Sequence, residues 1–236
     1  MPLKSIPKIL AFDTSSPRAS LALLDGSNVL AELRLRTAQN HSTVLLSSIG
    51  FLLGRLGWTM DDLGLVAVGI GPGSFTGIRI GMATALGIAQ SLSIPLAGIS
   101  GLDALAHQVA NLEGRLAVVL DAHRAQVFYA EYAGGKGKIR ATRKPVLISL
   151  SDLEHYLADR HLYIVGDVEA CRIRVSKPRQ SGWPRPLDAE LFLAPSIGRL
   201  ALSRKKAWRS GEYLMSEPLY IRPPDALRNR ARKRRE

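Results

Sequence analysis

The chain has one cysteine, Cys171, so an internal disulfide is excluded and a reducing cytoplasm is the expected setting. As a lone small side chain Cys171 reads as packing rather than as a nucleophile. No apolar run approaches the roughly 18 residues of a membrane span. The apolar stretch before Asp13 is too short for a secretory leader. The five histidines (His41, His107, His123, His155, His161) include no pair three or four apart, the spacing with which one helical turn grips a metal. Asp121 and His123 stand two apart, which in an extended segment is explained by packing alone. Ser74 and Thr76 lack an identifiable companion base and read as helix caps. No catalytic residue, metal or cofactor is expected.

What is present is a globular composition: 236 residues, 46% apolar and 22% charged, enough for one large domain or two small ones. The net charge of +12 is unevenly placed. Residues 1–110 hold seven Lys/Arg and six Asp/Glu, residues 111–221 eighteen and twelve, and the tail 222–236 seven and two. A basic second half and tail imply an acidic partner, RNA or an acidic protein face, although the run Arg228 to Arg235 also fits a solvated end.

The densest signal runs from Val66 to Leu92, VAVGIGPGSFTGIRIGMATALGIAQSL. A buried-strand pattern enters the turn Gly71-Pro72-Gly73-Ser74-Phe75-Thr76-Gly77, and a helical pattern leaves it. That order builds an anion site, because the first helical N–H groups lack partners and carry the positive end of the helix dipole. In the helix, Gly77, Gly81, Ala85 and Ala89 recur every fourth residue on one face. The segment therefore holds either a phosphate or another helix.

Along the rest of the chain, Ile9–Phe12 reads as a strand ending at Asp13-Thr14-Ser15-Ser16, followed by a hairpin about Asp25-Gly26. Ser42–Leu56 has helical periodicity through Leu45, Ile49, Leu52 and Leu56, with Gly50 and Gly54 one turn apart. The order then restarts: Leu116–Leu120 ends at Asp121, Gln126–Tyr132 runs to a Gly134-Gly135 turn, and Pro145–Leu150 is a third strand. Leu153–Leu157 reads as a helix, Leu162–Val165 as a strand, Ser176–Pro186 as loop and Ala189–Ala207 as the last helix. Asp13 and Asp121, 108 residues apart, are then equivalent positions of two halves, 1–110 and 111–221. A duplicated ββαβα plan with aspartates ending the first strands is the α/β architecture of the actin/Hsp70/sugar-kinase (ASKHA, RNase H-like) folds, which hold ATP between their halves.

Against a working ATP cleft, neither aspartate turn contains glycine, and a late glycine cluster is reduced to Gly166-Asp167. Asp13, Thr14 and Asp121 are thus the remains of a degenerate nucleotide cleft. Glycine inside a helix costs roughly 1 kcal/mol relative to alanine, so the small residues require a packing reason. Two small-residue helices can pair with two of another subunit. The expected partner surface comprises Gly50, Gly54, Gly77, Ile78, Gly81, Ala85, Ile88 and Ala89, seated by the loop Gly71, Pro72, Gly73, Ser74, Phe75 and Thr76 with Arg79. An active ATPase or phosphotransferase of the actin-like group is the rival reading, and an RNA-binding accessory led by the basic second half a third.

The stretches ILAFDTSSPRASLALL, HSTVLLSSI and GIGPGSFTGIRIGMATALGIAQSLSIPLAGISGLDALA resemble the TsaB (YeaZ) family over roughly residues 8–132, and PLYIRPPDA is similar to its closing motif. The resemblance implies a non-catalytic subunit in making N6-threonylcarbamoyladenosine at position 37 of tRNA. It implies TsaD, the catalytic paralogue, as heterodimer partner through the two N-terminal-domain helices. TsaE and tRNA are implied around that pair, and a homodimer in the absence of TsaD. TsaD carries a V-N-H-L-E-G-H pattern whose two histidines hold a metal; here Gly101 and Leu105 stand at those places, with no lone pair to offer.

Overall fold

The computed structural model describes residues 7–36, 41–157, 161–174, 184–204 and 218–221. The tail 222–236 and most of the expected loop Ser176–Pro186 lie outside the described residues.

The first half runs β1 (Lys8–Asp13), β2 (Arg18–Asp25), β3 (Asn28–Arg36), α1 (His41–Arg55), β4 (Leu65–Gly69), α2 (Phe75–Leu92), β5 (Leu96–Ile99) and α3 (Gly101–Gln108). The second runs β6 (Gly114–Asp121), β7 (Gln126–Gly135), β8 (Lys138–Ser149), α4 (Leu150–Tyr156), β9 (Leu162–Gly166), α5 (Val168–Arg174), β10 (Arg185–Pro186) and α6 (Ala194–Ser203). Each half is βββαβαβα, two strands and one helix fuller than ββαβα. The sheets have orders β3-β2-β1-β4-β5 and β8-β7-β6-β9-β10, so strand for strand they are the same. In both, the first strand is antiparallel to the second and parallel to the fourth, and it ends in the aspartate. The duplicated actin-like plan is present.

The sequence logic is visible element by element. β1 and β4 are apolar throughout because both faces of a central strand are covered. The β2–β3 hairpin turns at Gly26, whose φ of 59° lies where glycine is favoured. α6 starts at Ala194, later than Ala189, because Pro195 has no N–H and is accommodated only in a first helical turn. The third strand of the second half begins at Lys138, earlier than Pro145, since polar strand residues give no apolar run to read. α5 is seven residues long, too short for its periodicity to announce it.

Three apolar clusters separate five layers. α1 and α2 cover the outer face of the first sheet, with Leu45, Ile49, Leu52, Ala85, Ile88 and Ala89 on Leu10, Phe12, Val66 and Val68. α4 and α5 cover the outer face of the second. The central layer is an exchange: α6, from the second half, packs on β1, β2 and β4 of the first sheet, while α3, from the first half, packs on β6–β9. One core from Ile9 and Leu65 through Leu102, Leu105, Ile197 and Leu200 to Leu116 and Val165 therefore unites both halves. Ser20 Oγ accepts from Ala194 N at 3.0 Å, satisfying an N–H at the start of α6.

A side-chain bridge seals this layer. Tyr132 Oη on β7 donates to Asp103 Oδ1 on α3 (2.9 Å), and Arg204 Nη2 donates to Asp103 Oδ2 (2.7 Å). Burial, and then the charge of Asp103, push the Tyr132 phenol above its ordinary value; burial and Glu131 do the same to Tyr129. Their stabilising contribution is complete below about pH 10, the unfolded phenol pKa, and is lost as pH rises beyond it, because the unfolded chain releases those protons first. Tyr132→Phe should cost about 1–2 kcal/mol at neutral pH and flatten the alkaline loss of stability, read from urea midpoints between pH 8 and 11.

Candidate functional site

The two aspartate turns and the glycine loop meet at the edge where a nucleotide cleft would open. Asp13 is buried, with Oδ1 accepting from Ser15 N and Oδ2 from Ser15 Oγ, both at 3.1 Å. Loop Gly71–Ser74 and the first turn of α2 close over this turn. Ser74 N donates to Ser15 O at 2.6 Å, Thr14 Oγ1 donates to Gly77 O at 2.7 Å, and Ser74 Oγ caps the helix by accepting from Gly77 N at 3.2 Å. A Cβ at Gly73 would lie inside the van der Waals shell of Ser15 O, and one at Gly77 inside that of Thr14 O. The loop holds a backbone carbonyl where an anion would sit. Ser15 O occupies the positive end of α2, so the helix terminus secures its own chain.

Gly71 and Pro72 are buried and joined by a cis peptide bond, and Gly71 O accepts from Gly101 N at 2.8 Å. Phe75 and Arg79 lie outside this clasp. The Arg79 guanidinium stacks 3.7 Å over the Phe75 ring, Phe75 meets Tyr220 at 4.9 Å, and Arg79 Nε donates to Tyr220 Oη. The short segment 218–221 is fastened beside them by Leu219 N donating to Ile70 O.

The other aspartate, Asp121, is joined to the first half through Asp167, which sequence alone presents only as part of Gly166-Asp167. Asp167 is buried; its Oδ2 accepts from Asp121 N at 3.0 Å, and its Oδ1 accepts from Arg18 Nη2 on β2 at 2.8 Å. Arg18 and Asp167 are 149 residues apart, and no local pattern links them. The Asp121 carboxylate itself accepts from His123 N in the turn that leaves β6. The recess beside Asp13 and Thr14 is partly open to solvent and is walled mainly by Ala19, Leu21, Leu33, Leu35 and Val44. Aliphatic walls next to a carboxylate do not fit a polyphosphate.

The transferase-type metal positions do not fit a metal either. Gly101 abuts Leu193, and Leu105 is fully buried in the central core. Among the described residues no cluster of three metal-ligating side chains occurs.

The predicted partner face needs correction. Gly77, Ile78, Gly81, Ala85, Ile88 and Ala89 are all buried within this chain. A Cβ at Gly81 would meet Thr14 Oγ1 at 2.5 Å, and Ala85, Ile88 and Ala89 sit in the outer core of the first sheet. The fourfold spacing records how closely α2 lies on its own strand ends. Gly50 and Gly54 do face outward, with open space beyond, as does Gly87. Around them Leu46 is 58% and Phe51 55% exposed, large values for such apolar side chains on an ordered helix. Ala83 of α2 is also exposed. Leu46 and Phe51 are out of phase with the buried Leu45-Ile49-Leu52 stripe, and that mismatch was the sequence signal for an outward apolar face.

A family model described as TsaD, tRNA N6-adenosine threonylcarbamoyltransferase, matches residues 34–178. The tRNA threonylcarbamoyladenosine biosynthesis protein TsaB of Bacillus subtilis is 33% identical over 152 residues, 64% of this chain and 66% of that protein. The chain thus spans just under two-thirds of the length of that curated relative. A crystal structure from Pseudomonas aeruginosa, of a protein with similarity to peptidase YEAZ, superposes with a TM-score of 0.72 at 26% identity, covering 92% of this chain and all of that one. The activator of 2-hydroxyisocaproyl-CoA dehydratase from Clostridium difficile superposes at 0.51 with 11% identity over 89% of this chain and all of the other, a likeness of fold alone. Among the described residues no helix is long and apolar enough to cross a membrane.

The clasp and the open face give opposite outcomes for the same substitution. Gly→Ala at an unhindered helix position gains up to about 1 kcal/mol of helix propensity, whereas overpacking costs about 1–3 kcal/mol. Gly87→Ala should raise the urea midpoint and Gly77→Ala should lower it.

Proposed function

Because the chain belongs to the TsaB (YeaZ) family, we propose that it acts in tRNA threonylcarbamoyladenosine biosynthesis as a non-catalytic partner of a TsaD-type transferase. The observation that carries this reading is the outward face of α1 and α2. Leu46 and Phe51 are exposed beside glycines with open space above them, on a chain whose degenerate cleft is filled by its own backbone. Small residues allow a facing helix to approach closely, and an exposed aromatic beside them supplies an anchor of the kind that dominates interface energies. A TsaD subunit of the same fold would present the complementary pair of helices. TsaE and tRNA then assemble around the pair. A second copy of this chain is the competing occupant of the face when TsaD is absent.

Two features support a non-catalytic role. The transferase-type histidine positions hold a glycine and a buried leucine, and the N-terminus of α2 is engaged by Ser15 O. The rival reading, an actin-like ATPase, requires turnover by the isolated chain that disappears with Asp13→Ala.

Phe51→Asp and Gly54→Leu change only groups that face outward, so neither should lower the monomer's urea midpoint much, and Gly54→Leu should raise it as Gly87→Ala does. Each should weaken co-purification with TsaD by about 2 kcal/mol, roughly thirtyfold in affinity. Undiminished capture of TsaD by both variants would remove α1 and α2 from the interface.

A further inference from the structure

We propose that the end of the second sheet's outer face that none of the described helices covers binds the phosphate backbone of tRNA, an inference that rests on the tRNA-modification reading above. Between Glu131 and Asp152 the chain carries Lys136, Lys138, Arg140, Arg143 and Lys144 and no acidic residue. All five are exposed. Strand register sorts them. Ala133 on β7 lies opposite Arg115 on β6 and opposite Arg140 on β8, so the two arginines flank a small residue on one face. Two residues back along β7, Glu131 lies opposite Arg143, and two residues on, Gly135 lies opposite Lys138. The result is a floor of Ala133 and Gly135 edged by Arg115, Lys138, Arg140 and Arg143.

Two carboxylates are near. Glu131 is buried and answers two arginines at once, Arg115 at 2.9 Å and Arg143 at 3.1 Å. Glu113 lies against Gly135. The four cations of the face outnumber them. α4 and α5 cover the other end of this face, over Val119, Val127 and Tyr129. Three strands at about 4.8 Å and four residues of β7 at about 3.4 Å make a surface of roughly 10 by 14 Å.

Cations on an exposed edge strand also prevent edge-to-edge pairing, and β8 is an edge. That role does not account for Arg115, which lies on β6, the central strand of the sheet. Nor does it require the small floor, which lets a backbone lie flat across the strands. Double-stranded nucleic acid carries roughly one negative charge per 1.7 Å of axis, so about eight charges pass along 14 Å. Arginine-rich rows suit that density, since each guanidinium can grip a phosphate with two N–H groups.

The test is binding of an unmodified tRNA transcript by the full chain, followed by fluorescence anisotropy from 50 to 200 mM salt. Lys138→Gln with Arg140→Gln should flatten the slope of log affinity against log salt by about 2, since each phosphate contact contributes roughly 0.9. Arg36→Gln with Arg185→Gln removes equal charge from exposed positions elsewhere and should leave the slope unchanged. The inference is overturned if the wild-type chain does not bind tRNA, or if the Lys138/Arg140 variant keeps the wild-type slope. It is also overturned if truncation after Ile221 abolishes binding while that variant does not, or if poly-glutamate of equal charge displaces tRNA completely. TsaD capture is measured on the same variant: capture kept while tRNA affinity falls supports both readings. Tight TsaD capture without patch-dependent RNA binding sinks this inference alone, and the converse sinks only the partner reading.

Discussion

The contact on which the rest of the structure depends is the approach of α2 to the turn after β1. Thr14 reaches the backbone of Gly77 with its hydroxyl, and Ser15 presents its carbonyl to Ser74 N–H, with no room for a side chain at Gly73 or Gly77. That approach fixes the height of α2 above the first sheet. It sets Ala85, Ile88 and Ala89 into the outer core, and so decides which side of the helix is left for solvent. The same approach places a backbone carbonyl at the helix N-terminus, the place where related folds would receive an anion. One steric constraint therefore both engages the N-terminus of α2 and leaves its other side outward.

Electrostatics hold the two halves at that closed edge. Asp167 receives a cation from the first half and a backbone N–H from the second, and the buried carboxylate has little alternative solvation there. Arg18 thereby ties β2 to β9 across the seam. On the far side of the second sheet charge is arranged differently, with one carboxylate shared between arginines and further cations left around it. Lys138, Arg140, Arg143 and Arg115 thus stand together on one face.

Much of the fold is legible in the residues. Strand-terminal Asp13 and Asp121, the Asp25-Gly26 hairpin and the Leu45-Ile49-Leu52 stripe mark elements found where their chemistry puts them. The duplication follows from the paired aspartates. What local patterns do not reveal is which face of a small-residue helix turns inward. Gly77, Gly81, Ala85 and Ala89 form a stripe suited equally to a foreign helix and to the chain's own strand ends, and only the position of Thr14 decides between them. The Arg18–Asp167 pair is invisible for another reason: two charged residues so far apart have no shared period. Residues 37–40 and 222–236, including the basic run near the C-terminal end, lie outside the described structure.

The exchange of α3 and α6 has a consequence for how the chain is made. The inner face of the first sheet, Ile9, Ala11, Leu24, Leu65 and Ile99, is complete once β5 has been synthesised, yet its lid ends at Ser203, about a hundred residues later. At translation speeds of roughly 5–20 residues per second that apolar face waits about 5–20 seconds for its cover. Nascent chains stalled in that window would be sticky, and contacts spanning so much sequence make for slow closure of the native topology. The first half is then a dependent unit on the ribosome, one whose safe passage calls for a chaperone or for rapid arrival of the last helix.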